Sequence, residues 1–199
     1  MASLVIFDMD GTLTLPMLDF DGIRAEIGLP PGPLLEAVMA MPPEDRRRAE
    51  AILLRHEAVA AAGSELQPGA RETIEAIQRA GMPVALMTRN SRKSTTAFDE
   101  RHGLRFDLVR TREDGPIKPS PCPVLEICRH FGAAPADTWV IGDFHFDLIC
   151  ANSAGAISVL FWGEPAELPA WAGDARYLIR GLPELLDLLG LNSALPPRT

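Results

Sequence analysis

The first apolar segment of the chain constrains its fold more than any other feature. Residues 4–7 read Leu-Val-Ile-Phe and are followed directly by Asp8, Met9, Asp10 and Gly11. A short apolar run that ends at a glycine-containing turn is typical of a buried strand in a parallel sheet. Open α/β sheets bind their ligands at the carboxyl ends of the strands. The sequence therefore predicts that Asp8 and Asp10 lie at a binding edge.

The spacing of Asp8 and Asp10 creates an electrostatic problem. Like charges about 4 Å apart repel each other by roughly 4 kcal/mol at the effective dielectric constant of a protein surface. A bound cation, or a proton on one of the two carboxylates, relieves that repulsion. This pair therefore indicates a metal site, an acid–base site or both.

The chain after Pro68 alternates between helical and strand patterns, which is the signature of a parallel α/β sheet. The predicted strands are residues 83–87, 106–110, 139–141, 157–161 and 177–179, and the predicted helices are residues 69–80, 91–102, 121–131, 144–154 and 182–189. Ser91 is expected to cap the helix over 91–102, and Ser120 the helix over 121–131. Residues 192–199 are expected to form a frayed tail. We therefore expect an α/β fold.

Residues 15–67 have a different pattern, with helical periodicity and no strand signal. Helices are predicted over 19–28, 34–41 and 44–62, with Asp19 as the N-terminal cap of the first. We therefore expect an α/β core domain of residues 1–14 and 68–199, interrupted by a small helical cap of residues 15–67.

Composition excludes several classes of protein. The net charge of -8 and the pI near 5.0 disfavour binding to nucleic acid or to an anionic membrane. No apolar stretch approaches the roughly 20 residues needed to cross a bilayer, and the N-terminus does not resemble a signal peptide. The three cysteines lack C-x-x-C spacing, which argues against a disulfide framework or a zinc site. A cytoplasmic protein is expected, and its oligomeric state stays open.

Four segments together resemble the haloacid dehalogenase (HAD) superfamily. The run from Asp8 to Thr12, Asp-Met-Asp-Gly-Thr, is similar to its first signature, and Thr88 at the end of an apolar strand is similar to its second. Lys118, followed by proline ahead of a helix, matches the third. On its own, Thr88 could simply be a strand-end residue and Lys118 a surface lysine. Their order along the chain supports the resemblance.

The fourth signature is an apolar strand that ends in Gly-Asp, with a second aspartate four residues later. Gly142, Asp143 and Asp147 provide it, whereas Phe144 stands where a serine is common. Asp143 is expected to be a metal ligand. Asp147 could be a ligand, a partner of a ligand, or a charge that stabilises the first turn of a helix.

The resemblance implies a Rossmann-like three-layer α/β/α parallel sheet with a helical cap, close to the phosphoglycolate phosphatase-like subgroup. It also implies a Mg²⁺-dependent phosphatase that acts on small phosphorylated metabolites. Asp8 would be the nucleophile, Asp10 the general acid–base and Lys118 a fixed cation, and Mg²⁺ would be held by Asp8, the carbonyl of Asp10 and Asp143. The residues expected to contact substrate are Met9, Gly11, Thr12, Thr88, Arg89, Asn90 and Lys118.

Alternatives to the phosphatase remain. Asp10 disfavours dehalogenation, because the dehalogenases of this superfamily lack an aspartate at that position. A sugar phosphomutase shares all four signatures, and a phospho-ligand binding or regulatory protein could retain the fold without turnover. In the helical cap, Phe20, Arg24 or Arg55 could select the leaving group, but the sequence does not orient them.

Overall fold

The structure is a computed structural model that describes residues 2–163 and 167–192. The predicted tail lies almost entirely outside the described residues. The chain forms two compact units. The sheet unit comprises Met1–Pro16, Glu65–Arg89 and Leu104–Thr199, and the helical unit comprises Met17–Ser64 and Asn90–Gly103.

The sheet unit contains six parallel strands. They are β1 (Leu4–Phe7), β2 (Val84–Met87), β3 (Leu108–Arg110), β4 (Thr138–Gly142), β5 (Ile157–Phe161) and β6 (Tyr177–Ile179). Their order in the sheet is β3-β2-β1-β4-β5-β6. The predicted α/β fold with a parallel sheet is confirmed, and β1 lies between β2 and β4.

Eight α-helices accompany these strands in the described part of the chain. They are α1 (Phe20–Ile27), α2 (Leu34–Met39), α3 (Pro43–Gly63), α4 (Ala70–Arg79), α5 (Arg92–His102), α6 (Cys122–Phe131), α7 (His145–Ala154) and α8 (Glu184–Leu188). Within residues 2–163 and 167–192, no helix has both the length and the apolar character needed to cross a membrane.

Both faces of the central strands are buried, as a parallel sheet requires. Leu4 and Ile6 of β1 share one hydrophobic cluster with buried residues of α6 and α7. Val5 and Phe7 point to the opposite face and are also fully buried. This burial holds the carboxyl end of β1 in a fixed position.

A pair of extended segments lies next to the turn that follows β1. The N–H of Leu15 donates to the carbonyl of Glu65 (2.9 Å), and the N–H of Gln67 donates to that of Leu13 (2.8 Å). The side-chain amide of Gln67 also donates to the carbonyl of Gly11 at 3.3 Å. These bonds fasten the turn to the chain segment that precedes α4.

The helical unit has its own hydrophobic cluster. Its buried members are Ile23, Leu34, Val38, Ala49 and Leu53. Asp19 caps α1 as predicted, because its carboxylate accepts the N–H of Gly22 at 2.9 Å. Phe20 does not share the buried face of α1 and is 48% exposed.

Helix α5 packs within the helical unit. Ser91 caps it by accepting the N–H of Ser94, as predicted. The N–H of Ser91 in turn donates to the buried carboxylate of Glu57 on α3 at 3.3 Å. From its sequence pattern this helix is predicted to belong to the core domain. The predicted domain boundaries stay a prediction, and the compact units differ from them at residues 15–16, 65–67 and 90–103.

Candidate active site

The turn after β1 packs tightly against Asp143, which follows β4. Gly11 has a φ of +80°, and a Cβ at this position would lie 2.1 Å from Oδ2 of Asp143. The hydroxyl of Thr12 donates to Oδ1 of the same carboxylate at 2.9 Å. Glycine is therefore needed at position 11 for its backbone conformation and for space.

Lys118 joins two carboxylates inside the sheet unit. Its Nζ donates to Oδ1 of Asp8 and to Oδ1 of Asp147, each at 2.6 Å. Burial alone lowers the pKa of Lys118, but the two carboxylates outweigh it and raise the pKa above its usual value. Lys118 is therefore a fixed positive charge beside Asp8.

Asp147 lies in the first turn of α7 and is almost fully buried. Its Oδ1 accepts from Lys118, and its Oδ2 accepts the N–H of Phe144 at 3.2 Å. Burial raises the pKa of Asp147 to about 6, although the Lys118 ammonium opposes the shift. A Cβ at Gly142 would lie 2.1 Å from the Asp147 carboxylate carbon, so glycine leaves room for this side chain.

Three carboxylates converge at the carboxyl edge of the sheet. Asp8, Asp143 and Asp147 each offer an oxygen within 4.8 Å of the others. Burial, and then the charges of Asp8 and Asp147, raise the pKa of Asp143 well above its usual value. A divalent cation would relieve this crowding, and Mg²⁺ prefers oxygen ligands of this kind. The residues present fit a metal site.

Other residues predicted for the site are distributed between the two units. Asp10 lies in the turn after β1 and is half-buried. Thr88 is buried at the end of β2, where its N–H donates to the carbonyl of Arg110 (3.0 Å). Arg89 also lies in the sheet unit, whereas Asn90 is buried in the helical unit.

Arg110 is a supporting residue that the sequence pattern did not indicate. Its Nε and Nη2 donate to one carboxylate oxygen of Glu126 on α6, at 2.9 and 2.6 Å. Its Nη1 donates to the carbonyl of Pro116 at 2.9 Å. The side chain thus fastens the segment that leads into Lys118. The only sequence signal was an arginine at the end of a predicted strand.

His145 lies outside the carboxylate cluster. Its Nε2 is 2.7 Å from Oδ2 of Asp174, and its ring stacks on Trp171 at a centroid distance of 5.0 Å. These contacts connect His145, at the start of α7, to Trp171 and Asp174 at the surface. They do not indicate a role as a metal ligand.

The arrangement agrees with comparisons to known proteins. The sequence profile of the haloacid dehalogenase-like hydrolases matches residues 20–161. A haloacid dehalogenase-like hydrolase domain-containing protein of Arabidopsis thaliana is 31% identical over 78% of this chain and 69% of its own. A phosphoglycolate phosphatase of Chromobacterium violaceum is 25% identical over 93% of this chain and 95% of its own.

A solved structure supports the fold. The crystal structure of a hydrolase from Pseudomonas syringae is 20% identical, with a TM-score of 0.78, and the match covers 94% of this chain and 98% of that one. At this identity the likeness concerns the fold alone. From the sequence profile and the Arabidopsis relative, we conclude that this chain belongs to the haloacid dehalogenase-like hydrolase family.

Proposed function

We propose that this chain is a Mg²⁺-dependent phosphatase that hydrolyses a small-molecule phosphate monoester through an aspartyl-phosphate on Asp8. The observation that carries the proposal is the buried ammonium of Lys118, which donates to Asp8 at 2.6 Å, together with the Asp143 carboxylate, which lies within 4.8 Å of that of Asp8. A nucleophilic carboxylate with a fixed cation beside it suits phosphoryl transfer, which depends mainly on positioning and on charge stabilisation.

In the first step, a carboxylate oxygen of Asp8 forms a bond to phosphorus while the bond from phosphorus to the leaving oxygen breaks. Asp10 gives its proton to that leaving oxygen, so that a neutral alcohol departs. In the second step, water attacks phosphorus and Asp10 takes the proton from it, which restores Asp8 and releases phosphate. Such acid–base assistance contributes about a hundred- to ten-thousand-fold.

The other residues hold charge in place during both steps. Lys118 faces the phosphoryl oxygens as a permanent cation, and the hydroxyl of Thr88 and the N–H groups of Met9, Gly11 and Thr12 are proposed to contact them. Mg²⁺ would be held by Asp8, Asp143 and the carbonyl of Asp10, and would supply positive charge that stabilises the developing negative charge. The predicted substrate contact of Asn90 remains a prediction.

Asp147 is proposed to act through Lys118. Both of its oxygens are engaged, one by the Lys118 ammonium and the other by the N–H of Phe144. A carboxylate used in this way orients the cation beside the nucleophile. We therefore assign Asp147 a positioning role, while Asp143 takes the role of metal ligand.

The class of substrate is proposed from the family. Phosphoglycolate is the substrate named for the Chromobacterium violaceum relative. We extend to this chain only the broader class, a small phosphate monoester, because a shared fold does not determine the substrate.

The test is phosphate release from a panel of phosphate monoesters, with Mg²⁺ or with EDTA, for the wild-type protein and Asp8→Asn. Asp45→Asn, a change at an exposed position on α3, is the matched control. We expect Mg²⁺-dependent turnover that Asp8→Asn abolishes and Asp45→Asn preserves. Full activity in Asp8→Asn would exclude the aspartyl-phosphate. Turnover that appears only with a bisphosphate activator would favour the phosphomutase, and binding without turnover would favour a regulatory protein.

A further inference from the structure

Four aromatic side chains form a continuous surface beside the carboxylate cluster, which we call the aromatic wall: Phe144, Phe146, Trp162 and Trp171. The ring of Phe144 meets those of Phe146 and Trp171 edge to face, with centroids 5.1 and 6.1 Å apart. Trp162 packs against Trp171 in the same manner at 5.9 Å. Even so, Phe144 remains 52% exposed. Its position therefore leaves much of a large apolar ring open to a ligand.

The aromatic wall begins one residue from the proposed metal ligand Asp143. The N–H of Phe144 donates to Asp147, whose other oxygen accepts from Lys118, and Lys118 donates to Asp8. A short series of hydrogen bonds thus connects the backbone of Phe144 to the proposed nucleophile. The exposed ring lies at the edge of the site rather than on a remote surface.

Arg89 connects the aromatic wall to the opposite side of the site. Its guanidinium carbon lies 4.7 Å from the centroid of the Phe146 ring, a cation–π arrangement. Arg89 follows β2 and Phe146 follows β4, whereas β1 lies between these two strands. Neighbouring strands are about 4.8 Å apart. The contact between Arg89 and Phe146 therefore spans the carboxyl end of β1, where Asp8 is located.

We propose that the aromatic wall and Arg89 bind the leaving group, and that the preferred substrates are phosphate monoesters whose alcohol carries a planar aromatic ring. This inference rests on the proposed phosphatase function and adds the class of leaving group. Aromatic rings pair favourably with Phe144 beyond the burial of area alone. Arg89 adds a positive charge at the carboxyl end of β1, next to the aromatic wall, so an anionic ester with an aromatic end matches both parts.

The alternative location for this selectivity is the helical unit. Phe20, the first residue of α1, is 48% exposed, which is close to the 52% of Phe144. Phe20 and Phe144 can therefore be compared through the same substitution. Replacing each by serine removes the same ring from a similarly exposed position near the start of a helix.

The experiment compares kcat/KM for 2-phenylethyl phosphate and 2-cyclohexylethyl phosphate. Their leaving alcohols have the same length and similar acidity, and they differ in whether the ring is planar and aromatic. In wild type we expect a preference of about two- to tenfold for the phenyl ester, the range that one aromatic pair provides. Phe144→Ser should remove the preference, Phe144→Leu should reduce it, and Phe20→Ser should retain it.

A binding measurement provides a readout that does not depend on turnover. The corresponding non-hydrolysable phosphonates are titrated while tryptophan fluorescence is followed, since Trp171 contacts Phe144. The phenyl compound should bind more tightly than the cyclohexyl compound, and Phe144→Ser should remove that difference.

Three results would overturn the proposal. Equal kcat/KM for the two esters in wild type, or a preference that is lost in Phe20→Ser and kept in Phe144→Ser, would refute the aromatic leaving-group site and leave the phosphatase function standing. Absence of phosphate release from every ester, including small aliphatic ones, would refute the proposed function and this inference with it.

Discussion

Two clusters of charged side chains, one in each unit, show how burial changes the consequence of similar contacts. In the sheet unit, Lys118 joins Asp8 and Asp147, and all three side chains are nearly buried. In the helical unit, Glu26 on α1 pairs with Arg55 and His56 on α3, and these side chains are 38%, 58% and 31% exposed. Each cluster places a carboxylate against a cation.

The pKa values of Glu26 and Asp147 shift in opposite directions. Hydrogen bonds from Arg55 and then His56 lower the pKa of Glu26, and they outweigh the opposing effect of its partial burial. Burial raises the pKa of Asp147 even though Lys118 opposes the shift. Charges interact strongly where solvent is excluded, and the same charges interact weakly where solvent screens them. The following changes test this difference.

Lys118→Met should have the largest effect. It leaves Asp8 and Asp147 without their shared cation, and breaking a buried pair in this way costs about 3–5 kcal/mol of unfolding free energy. Phosphatase activity should be lost as well. Urea unfolding in EDTA measures the first effect, and phosphate release with Mg²⁺ measures the second.

The sequence contains two lysines, and the other one provides the control. Lys93 is exposed on α5, so Lys93→Met should leave stability and activity near wild type. An equal loss of unfolding free energy in Lys118→Met and Lys93→Met would mean that burial does not determine how much each lysine contributes to stability. Added Mg²⁺ should restore part of the stability lost in Lys118→Met, because it would neutralise the same carboxylates.

Asp147→Asn should reduce activity by about 10- to 100-fold, as is typical when a partner of a site residue is changed. The amide removes the negative charge that orients Lys118 but preserves the size of the side chain. Mg²⁺ affinity and kcat are measured beside those of Asp143→Asn. A positioning role predicts that Asp143→Asn loses more Mg²⁺ affinity. Equal losses of Mg²⁺ affinity in the two variants would indicate that Asp147 is itself a metal ligand.

Gly11→Ala and Gly28→Ala compare the same backbone strain in the two units. Both glycines have positive φ, +80° and +86°, so backbone strain from alanine should cost each about 1–2 kcal/mol of stability, and the clash with Asp143 should add to that cost at position 11. A Cβ at position 28 meets nothing within 4 Å, whereas one at position 11 strikes the Asp143 carboxylate. Only Gly11→Ala should therefore lose Mg²⁺-dependent activity. Normal kcat and KM in that variant would show that the close packing on Asp143 is not needed.

Glu26→Gln should have the smallest effect. The change removes one charge from an exposed cluster whose other members remain solvated. Exposed ion pairs often make no measurable contribution to stability. We expect an unchanged urea midpoint and unchanged phosphate release. A clear loss of stability would mean that this cluster behaves like the buried one.

Much of the fold was predictable because its signals are local. An apolar run followed by Asp8 and a glycine turn predicts a buried strand from a few neighbouring residues, and β1 is found there. The caps at Asp19 and Ser91 were identified for the same reason. The start of α6 shows the limit of such signals. Ser120 is the predicted cap, and its hydroxyl accepts the N–H of Cys122 at 3.3 Å, but the helix begins at Cys122 with Pro121 in the cap position.

The residue pattern alone predicts the parallel strands and the order in which Asp8, Thr88, Lys118 and Asp143 follow or precede them. Which of these side chains meet depends on tertiary packing. Lys118 and Asp147 are 29 residues apart, and their contact depends on how α7 packs against the sheet. The contact of Arg110 with Glu126 and the position of Arg89 over Phe146 depend on such packing too. Side-chain contacts across a fold follow from strand register and burial, which no local pattern of residues contains.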